Sequence, residues 1–165
     1  MSSAPFRLVP FDAAHDRTGF NSDSEPLNRY LREQVIQDIH RRVAACFVAL
    51  EDGQRIAGYY TLASASLLLA DLPDSSGKKL PRYPTVPAVR MGRLAVDQAL
   101  KGQGLGGALL ADALDRAARS EIAAFALMVD AKDKAAAAFY GHHGFIALPD
   151  SPLTLFLPLA TVQRP

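Results

Sequence analysis

Apolar and polar positions follow two rhythms along the chain. Over residues 27–42, Leu27, Tyr30, Leu31, Gln34, Val35 and Ile39 share one helical face, which predicts a single amphipathic helix. Pro26 suits its first turn, and Ser24 or Asp23 its cap. Residues 44–50 and 55–63 are rich in strand formers. Glu51, Asp52, Gly53 and Gln54 between them carry the Asp-Gly signal of a tight hairpin.

Further on, the pattern predicts a strand over 88–96 and a helix over 103–119 with Leu105, Ala108, Leu109, Ala113, Leu114 and Ala117 on one face. A buried strand over 125–129, a helix over 133–143 closed by Gly144 and a last strand over 153–157 complete the chain. The segment ahead of the first helix reads as strand or coil. Antiparallel strands thus precede a strand-helix-strand alternation, the order of an α/β fold with a mixed sheet. Residues 70–87 interrupt it with Gly77 and four prolines, Pro73, Pro81, Pro84 and Pro87. They predict a long irregular loop, a feature that in compact domains often serves function. No internal repeat is present.

At 165 residues, 49% hydrophobic and 21% charged, the chain fits one folded domain over 1–165 and excludes intrinsic disorder. A net charge of +1 excludes only a uniformly basic protein, because the sign changes along the sequence. Residues 1–26 carry −2 (two basic, four acidic), 27–101 carry +4 (eleven, seven) and 102–165 carry −1 (five, six). Lys78, Lys79, Arg82, Arg90, Arg93 and Lys101 hold most of the middle excess, against one neighbouring acid, Asp97. This stretch is either a solvated loop and strand edge or a face for a polyanion.

The single cysteine, Cys46, excludes an internal disulfide and a Cys-based zinc cluster, and its apolar surroundings predict a buried strand residue. No metal is expected. The first residues lack a secretory pattern and no apolar stretch reaches membrane-spanning length, so a soluble cytoplasmic protein without membrane contact is expected.

Residues 102–107, Gly-Gln-Gly-Leu-Gly-Gly, stand between a predicted strand and a strong helix. Glycines let successive N–H groups turn toward one ligand, and the helix N-terminus adds partial positive charge, so the segment suits a phosphate or pyrophosphate. Gly102, Gly104 and Gly107 match the dinucleotide fingerprint G-x-G-x-x-G, with Asp130 placed as a ribose-binding acid. Two features oppose that reading. Residues 97–101 separate the strand from the first glycine, and only 35 residues follow Asp130, too few for the rest of such a domain. A P-loop is excluded because no G-x-x-x-x-G-K-[ST] occurs.

Arg90-Met91-Gly92-Arg93-Leu94-Ala95-Val96-Asp97 followed by Lys101-Gly102-Gln103-Gly104-Leu105-Gly106 resembles the central strand and acyl-CoA loop of the GNAT acetyltransferases. Leu27-Asn28-x-Tyr30-Leu31, Gly58-Tyr59-Tyr60-x-Leu62, Phe139-Tyr140-x-x-x-Gly144-Phe145 and Pro152-Leu153-x-Leu155-x-Leu157 extend the likeness over most of the chain. In their order and spacing they are similar to the TacT-like toxins of bacterial toxin-antitoxin pairs. Two positions depart from the pattern: Lys101 stands where Gln or Arg is usual, and Asn28 where Asp is common.

The resemblance implies a GNAT fold, with antiparallel N-terminal strands, a βαβ acyl-CoA-binding half and helices on both faces of a mixed sheet. It implies acetyl-CoA as cosubstrate, its pantetheine arm lying along Leu94, Ala95 and Val96 as an added strand. Lys101, Gly102, Gln103, Gly104, Gly106 and Gly107 would then hold the pyrophosphate. Tyr140 becomes the candidate acid beside the thioester sulfur; on sequence grounds alone, packing beside Phe139 is the reading to prefer.

No general base stands out, since the glutamates are only Glu25, Glu33, Glu51 and Glu121, and His142 and His143 end a helix. A site without a base favours an amine that is already partly neutral. An α-amine with a pKa of about 7.7–8.0 is about one fifth neutral near neutral pH, a lysine far less. Aminoacyl-tRNA carries such an amine. The resemblance then gives Lys78, Lys79, Arg82, Arg90 and Arg93 a role on tRNA phosphates, with Arg29, Arg32, Arg41 and Arg42 extending the surface. It also implies a homodimer and a ribbon-helix-helix antitoxin protein as partner. Acetylation of a small amine or protein N-terminus, and acyl-CoA binding without catalysis, remain alternatives.

Overall fold

The computed structural model describes residues 6–162. In chain order the elements are β1 (Arg7–Pro10), α1 (Glu25–Glu33), α2 (Val35–His40), β2 (Ala45–Leu50), β3 (Ile56–Leu68), α3 (Asp74–Gly77) and β4 (Thr85–Val96). There follow α4 (Leu105–Arg119), β5 (Ala126–Asp130), α5 (Lys134–His142), β6 (Ile146–Leu148) and β7 (Ser151–Pro158). The strands form one mixed sheet in the order β1-β2-β3-β4-β5-β7-β6. β1 with β2, β2 with β3, β5 with β7 and β6 with β7 pair antiparallel, while β4 and β5 run parallel through the α4 crossover. This is the α/β arrangement that the alternation predicts.

The chain divides into two compact units. One comprises Met1–Ala63 with Gly92–Ala113. Its core gathers Phe20, Leu31, Val35, Val48, Ile56 and Tyr59. Gly58 allows α4 to close on β3, because a Cβ there would lie 2.9 Å from Leu109 Cδ1 and 3.0 Å from the Ala95 carbonyl. The other unit comprises Ser64–Met91 with Leu114–Pro165. Its core is Leu67, Val86, Met128 and Phe156 with their neighbours.

Three expectations change. The single helix over 27–42 is two helices broken at Gln34, whose φ of −122° leaves helical geometry. Tertiary donors hold the break: Arg17 Nη1 donates to the carbonyls of Leu31 (3.1 Å) and Arg32 (3.4 Å), and Gln34 Nε2 donates to Asp38 Oδ1 at 3.1 Å. The 70–87 loop is shorter and partly ordered, since β3 runs to Leu68, α3 adds one turn and β4 starts at Thr85. The short β6 was not expected; Ile146 pairs with Phe156 and Ala147 with Leu155. The 51–54 hairpin is present, closed by a turn in which Gly53 (φ 83°) and Gln54 (φ 72°) take left-handed geometry.

Candidate active site

The glycine segment lies in the first unit, where β4 ends and α4 begins. A turn at Gln98–Leu100 leads from one to the other. Gly102 (φ 82°) and Gly104 (φ 79°) are left-handed, and a Cβ on either would meet nothing within 4 Å, so the loop is open on its outer side. The Gly104 carbonyl accepts from Ala108 N at 3.1 Å, which starts the α4 ladder. The N–H groups of Gly102, Gln103 and Gly104 donate to no described residue. Those of Leu105, Gly106 and Gly107 head the helix and have no intrahelical acceptor. Six donors without a described acceptor and the positive end of a 15-residue helix without an acidic residue in its first turn suit a pyrophosphate. The residues present therefore fit acetyl-CoA.

Leu94, Ala95 and Val96 form the end of β4. The β4–β5 ladder pairs residues 88–91 with 126–129, so these three lie beyond it. Their backbone is where an extended ligand arm can add as a strand.

A polar clasp behind the loop was missed from sequence. Asp97 is buried, 3% exposed. Its Oδ1 accepts from Ala99 N at 2.9 Å, and its Oδ2 accepts from Asn21 N at 3.1 Å and Arg55 Nη2 at 3.0 Å. Arg55 also reaches Glu51 at 2.6 Å. Gln98 donates its N–H to the Asn21 carbonyl and its Nε2 to the Ser22 carbonyl, both at 2.9 Å. Buried Asn28 accepts on Oδ1 from Ser22 N and Ser22 Oγ at 2.8 Å and donates through Nδ2 to Asn21 Oδ1 at 3.0 Å. An aspartate at 28 would lose that donor, which accounts for the asparagine here. The one readable signal was an acid two residues ahead of a turn amide; its distant partners have none.

Asp97 therefore serves Arg55 and the loop, not the cations beside it in sequence. Those cations divide. In the first unit Lys101 pairs with Asp23, and the Arg93 guanidinium lies 3.6 Å from the Tyr30 ring centroid. Tyr30 in turn donates to Asp38 Oδ2 at 2.8 Å, and burial first, then this bond, raises its pKa. In the second unit Arg90 faces Asp130 at 3.5 Å. Lys78, Lys79 and Arg82 are exposed and form no ion pair among the described residues.

Tyr140 is buried in α5 of the second unit, its ring 5.2 Å from that of Phe139 and 5.6 Å from that of Phe145. Burial pushes its hydroxyl up to about 12. That hydroxyl has no hydrogen-bond partner among the described residues, yet no fully buried side-chain N or O there lacks one, so it opens to solvent. It is a neutral, available donor. His143 Nδ1 lies 2.9 Å from the Phe139 carbonyl and both histidines are exposed. Glu25 is held below the usual carboxylate range by its hydrogen bond from Arg32. Cys46 is buried in β2 and burial pushes its thiol up to about 12, so it is no nucleophile. No described helix is long and apolar enough to cross a membrane.

Residues 12–145 match the model of the Acetyltransferase (GNAT) family. A tRNA-acetylating toxin of Mycobacterium tuberculosis (strain ATCC 25618 / H37Rv) is 39% identical over 157 residues, covering 94% of this chain and 91% of that protein. The probable toxin TacT of Sinorhizobium fredii (strain NBRC 101917 / NGR234) is 34% identical, covering 94% and 92%. Among solved structures, AtaT complexed with acetyl-methionyl-tRNAfMet superposes with a TM-score of 0.89 at 30% identity, covering 95% of this chain and 96% of that one. The open glycine loop, its amides and the family match over most of the sequence agree: the chain belongs to the GNAT family of acetyltransferases.

Proposed function

We propose that the protein transfers acetyl from acetyl-CoA to the α-amine of aminoacyl-tRNA and so acts as a translation-blocking toxin. The observation that carries the substrate is the likeness, over 94% of the chain, to a tRNA-acetylating toxin. The chain's own chemistry supports it. The transfer forms an N–C bond, breaks the C–S bond of the thioester, and moves one proton from the amine to the departing sulfur. The amides of 102–107 and Lys101 hold the cosubstrate's phosphates, and the backbone of Leu94, Ala95 and Val96 orients its arm. The Tyr140 hydroxyl donates a hydrogen bond to the sulfur as charge develops there. With Glu25 tied to Arg32 and Glu51 to Arg55, neither is a free base, and an amine that arrives neutral, as an α-amine does far more often than a lysine, suits the site.

Lys78, Lys79 and Arg82 supply open cations for tRNA phosphates, and Arg90 and Arg93 join them only by leaving Asp130 and the Tyr30 ring. Acting in the cytoplasm as a homodimer, the protein would be restrained by a ribbon-helix-helix antitoxin. The test is incubation of charged tRNA with acetyl-labelled acetyl-CoA. Label should appear on tRNA and, after mild alkaline hydrolysis, on N-acetylated amino acid. Label on small amines or protein N-termini with none on tRNA would overturn the reading, and so would acetyl-CoA binding without any transfer.

A further inference from the structure

The protein has five tyrosines, and four of them, Tyr30, Tyr59, Tyr60 and Tyr140, are buried. Tyr83 is 67% exposed. It lines an open groove of about 680 Å³ together with Leu68, Leu69, Leu72, Lys78 and Arg82, all in the second unit. Leu68 is itself 52% exposed. A lone exposed aromatic is unremarkable; its setting points to a ligand.

The segment is stiff. Pro81 and Pro84 bracket Tyr83 and fix their own φ angles. Leu69 N donates to the Pro84 carbonyl at 3.0 Å, and Leu80 N to the Gly77 carbonyl at 3.1 Å. Leu69 and Leu80 pack against the unit's core. The ring is thus held out on a preordered base, so that covering it costs little ordering entropy.

The charges say what would cover it. Lys78, Lys79 and Arg82 carry no ion pair among the described residues, whereas Arg90, Arg93 and Lys101 are each engaged. Lys78 N donates to the Asp74 carbonyl at 3.1 Å, but the carboxylates of Asp71 and of Asp74, which also lines the groove, pair with none of the three side chains. A second copy docking by the same face would set these cations against their own counterparts. A duplex would satisfy the cations but leave the ring unused, because its stacked bases offer no open face. Cations beside an exposed aromatic suit a single strand, whose phosphates take the charge and whose unpaired base takes the ring.

We infer that Tyr83 is a stacking platform for an unpaired base of the RNA substrate, with Lys78, Lys79 and Arg82 gripping the adjoining phosphates. The inference rests on the aminoacyl-tRNA reading. The test compares wild type, Tyr83→Ala and Tyr83→Phe, each first shown to have the same melting temperature, in steady-state acetylation of aminoacyl-tRNA and of a free amino acid amide. Tyr83→Ala should raise KM for aminoacyl-tRNA roughly ten-fold with kcat little changed, while amide acetylation stays constant and Tyr83→Phe behaves as wild type.

If wild type uses aminoacyl-tRNA and Tyr83→Ala leaves its KM unchanged, the platform is wrong and the substrate reading stands. If wild type acetylates the amide but no aminoacyl-tRNA, both fall. Equal losses in the Ala and Phe variants would assign the effect to the hydroxyl and overturn stacking. A sedimentation shift from dimer to monomer in Tyr83→Ala, or loss of antitoxin binding with KM unchanged, would make the face a protein interface and overturn the proposal.

Discussion

The glycine-loop region of the first unit and the open functional groups of the second treat charge in opposite ways. In the first, the cations around the glycine loop are engaged: Arg55 with Asp97 and Glu51, Lys101 with Asp23, Arg93 on the Tyr30 ring. In the second, Lys78, Lys79 and Arg82 are left to solvent, and the Tyr140 hydroxyl has no partner among the described residues. A loop that offers backbone amides to a pyrophosphate must be held still, and internal pairing does that. Groups that meet a substrate only during turnover must be unspent.

The largest expected effect comes from removing the unspent hydroxyl. Tyr140→Phe should lower kcat by about 100-fold or more and leave the Kd for acetyl-CoA, read by calorimetry, within about two-fold. A pH profile sharpens the role. With its pKa near 12, Tyr140 stays protonated through the neutral range, and full proton transfer to an ordinary thiolate is uphill by about 5 kcal/mol, so it acts by hydrogen bonding. The neutral amine is the reactive form. Consequently log kcat/KM should rise with pH up to about 8, then level, with no falling limb below about pH 10. A falling limb near pH 8 would mean that another group supplies the proton.

Reversing the open cations comes next. Lys78→Glu, Lys79→Glu and Arg82→Glu together should raise KM for aminoacyl-tRNA at least ten-fold at low salt and flatten its salt dependence, with acetyl-CoA KM unchanged. An unaltered salt slope would reduce the trio to a solvated loop.

These two regions were not equally legible. The glycine loop could be read because its chemistry is local: four glycines in six residues at the entry of a periodic helix leave amides without intrahelical acceptors whatever packs behind them. The clasp could not. Asp97 finds Arg55 42 residues away and Asn21 76 residues away, and nothing at Asp97 marks either. The break at Gln34 escaped for the same reason, since Arg17 supplies the donors that make it tolerable. In the basic stretch, composition counted cations correctly but could not tell engaged from open ones. β6, with three residues, is too short for any periodicity to register.

The clasp gives a smaller, separable effect. Asp97→Asn removes the charge that Arg55 faces while keeping an acceptor for Ala99 N or Asn21 N. If Asp97 positions the loop, KM for acetyl-CoA should rise several-fold, up to about ten-fold, with kcat and the KM for aminoacyl-tRNA nearly constant. Arg55→Lys alone, which keeps both charges of the pair, should raise the acetyl-CoA KM by less. A fall in melting temperature with acetyl-CoA KM unchanged would make Asp97 a structural residue only.

The smallest effect tests how firmly the first unit's pairing serves the loop. Lys101 and Asp23 are both about half exposed, and such a pair is worth at most about 1 kcal/mol. While Asp23 holds Lys101, its charge also opposes the phosphates that Lys101 must meet. Asp23→Asn should therefore lower KM for acetyl-CoA by about two-fold at low ionic strength, and the gain should vanish near 0.5 M salt, where exposed charges are screened. A higher KM at every salt concentration would show the reverse, that the pair aligns Lys101 for the phosphates and belongs with the clasp.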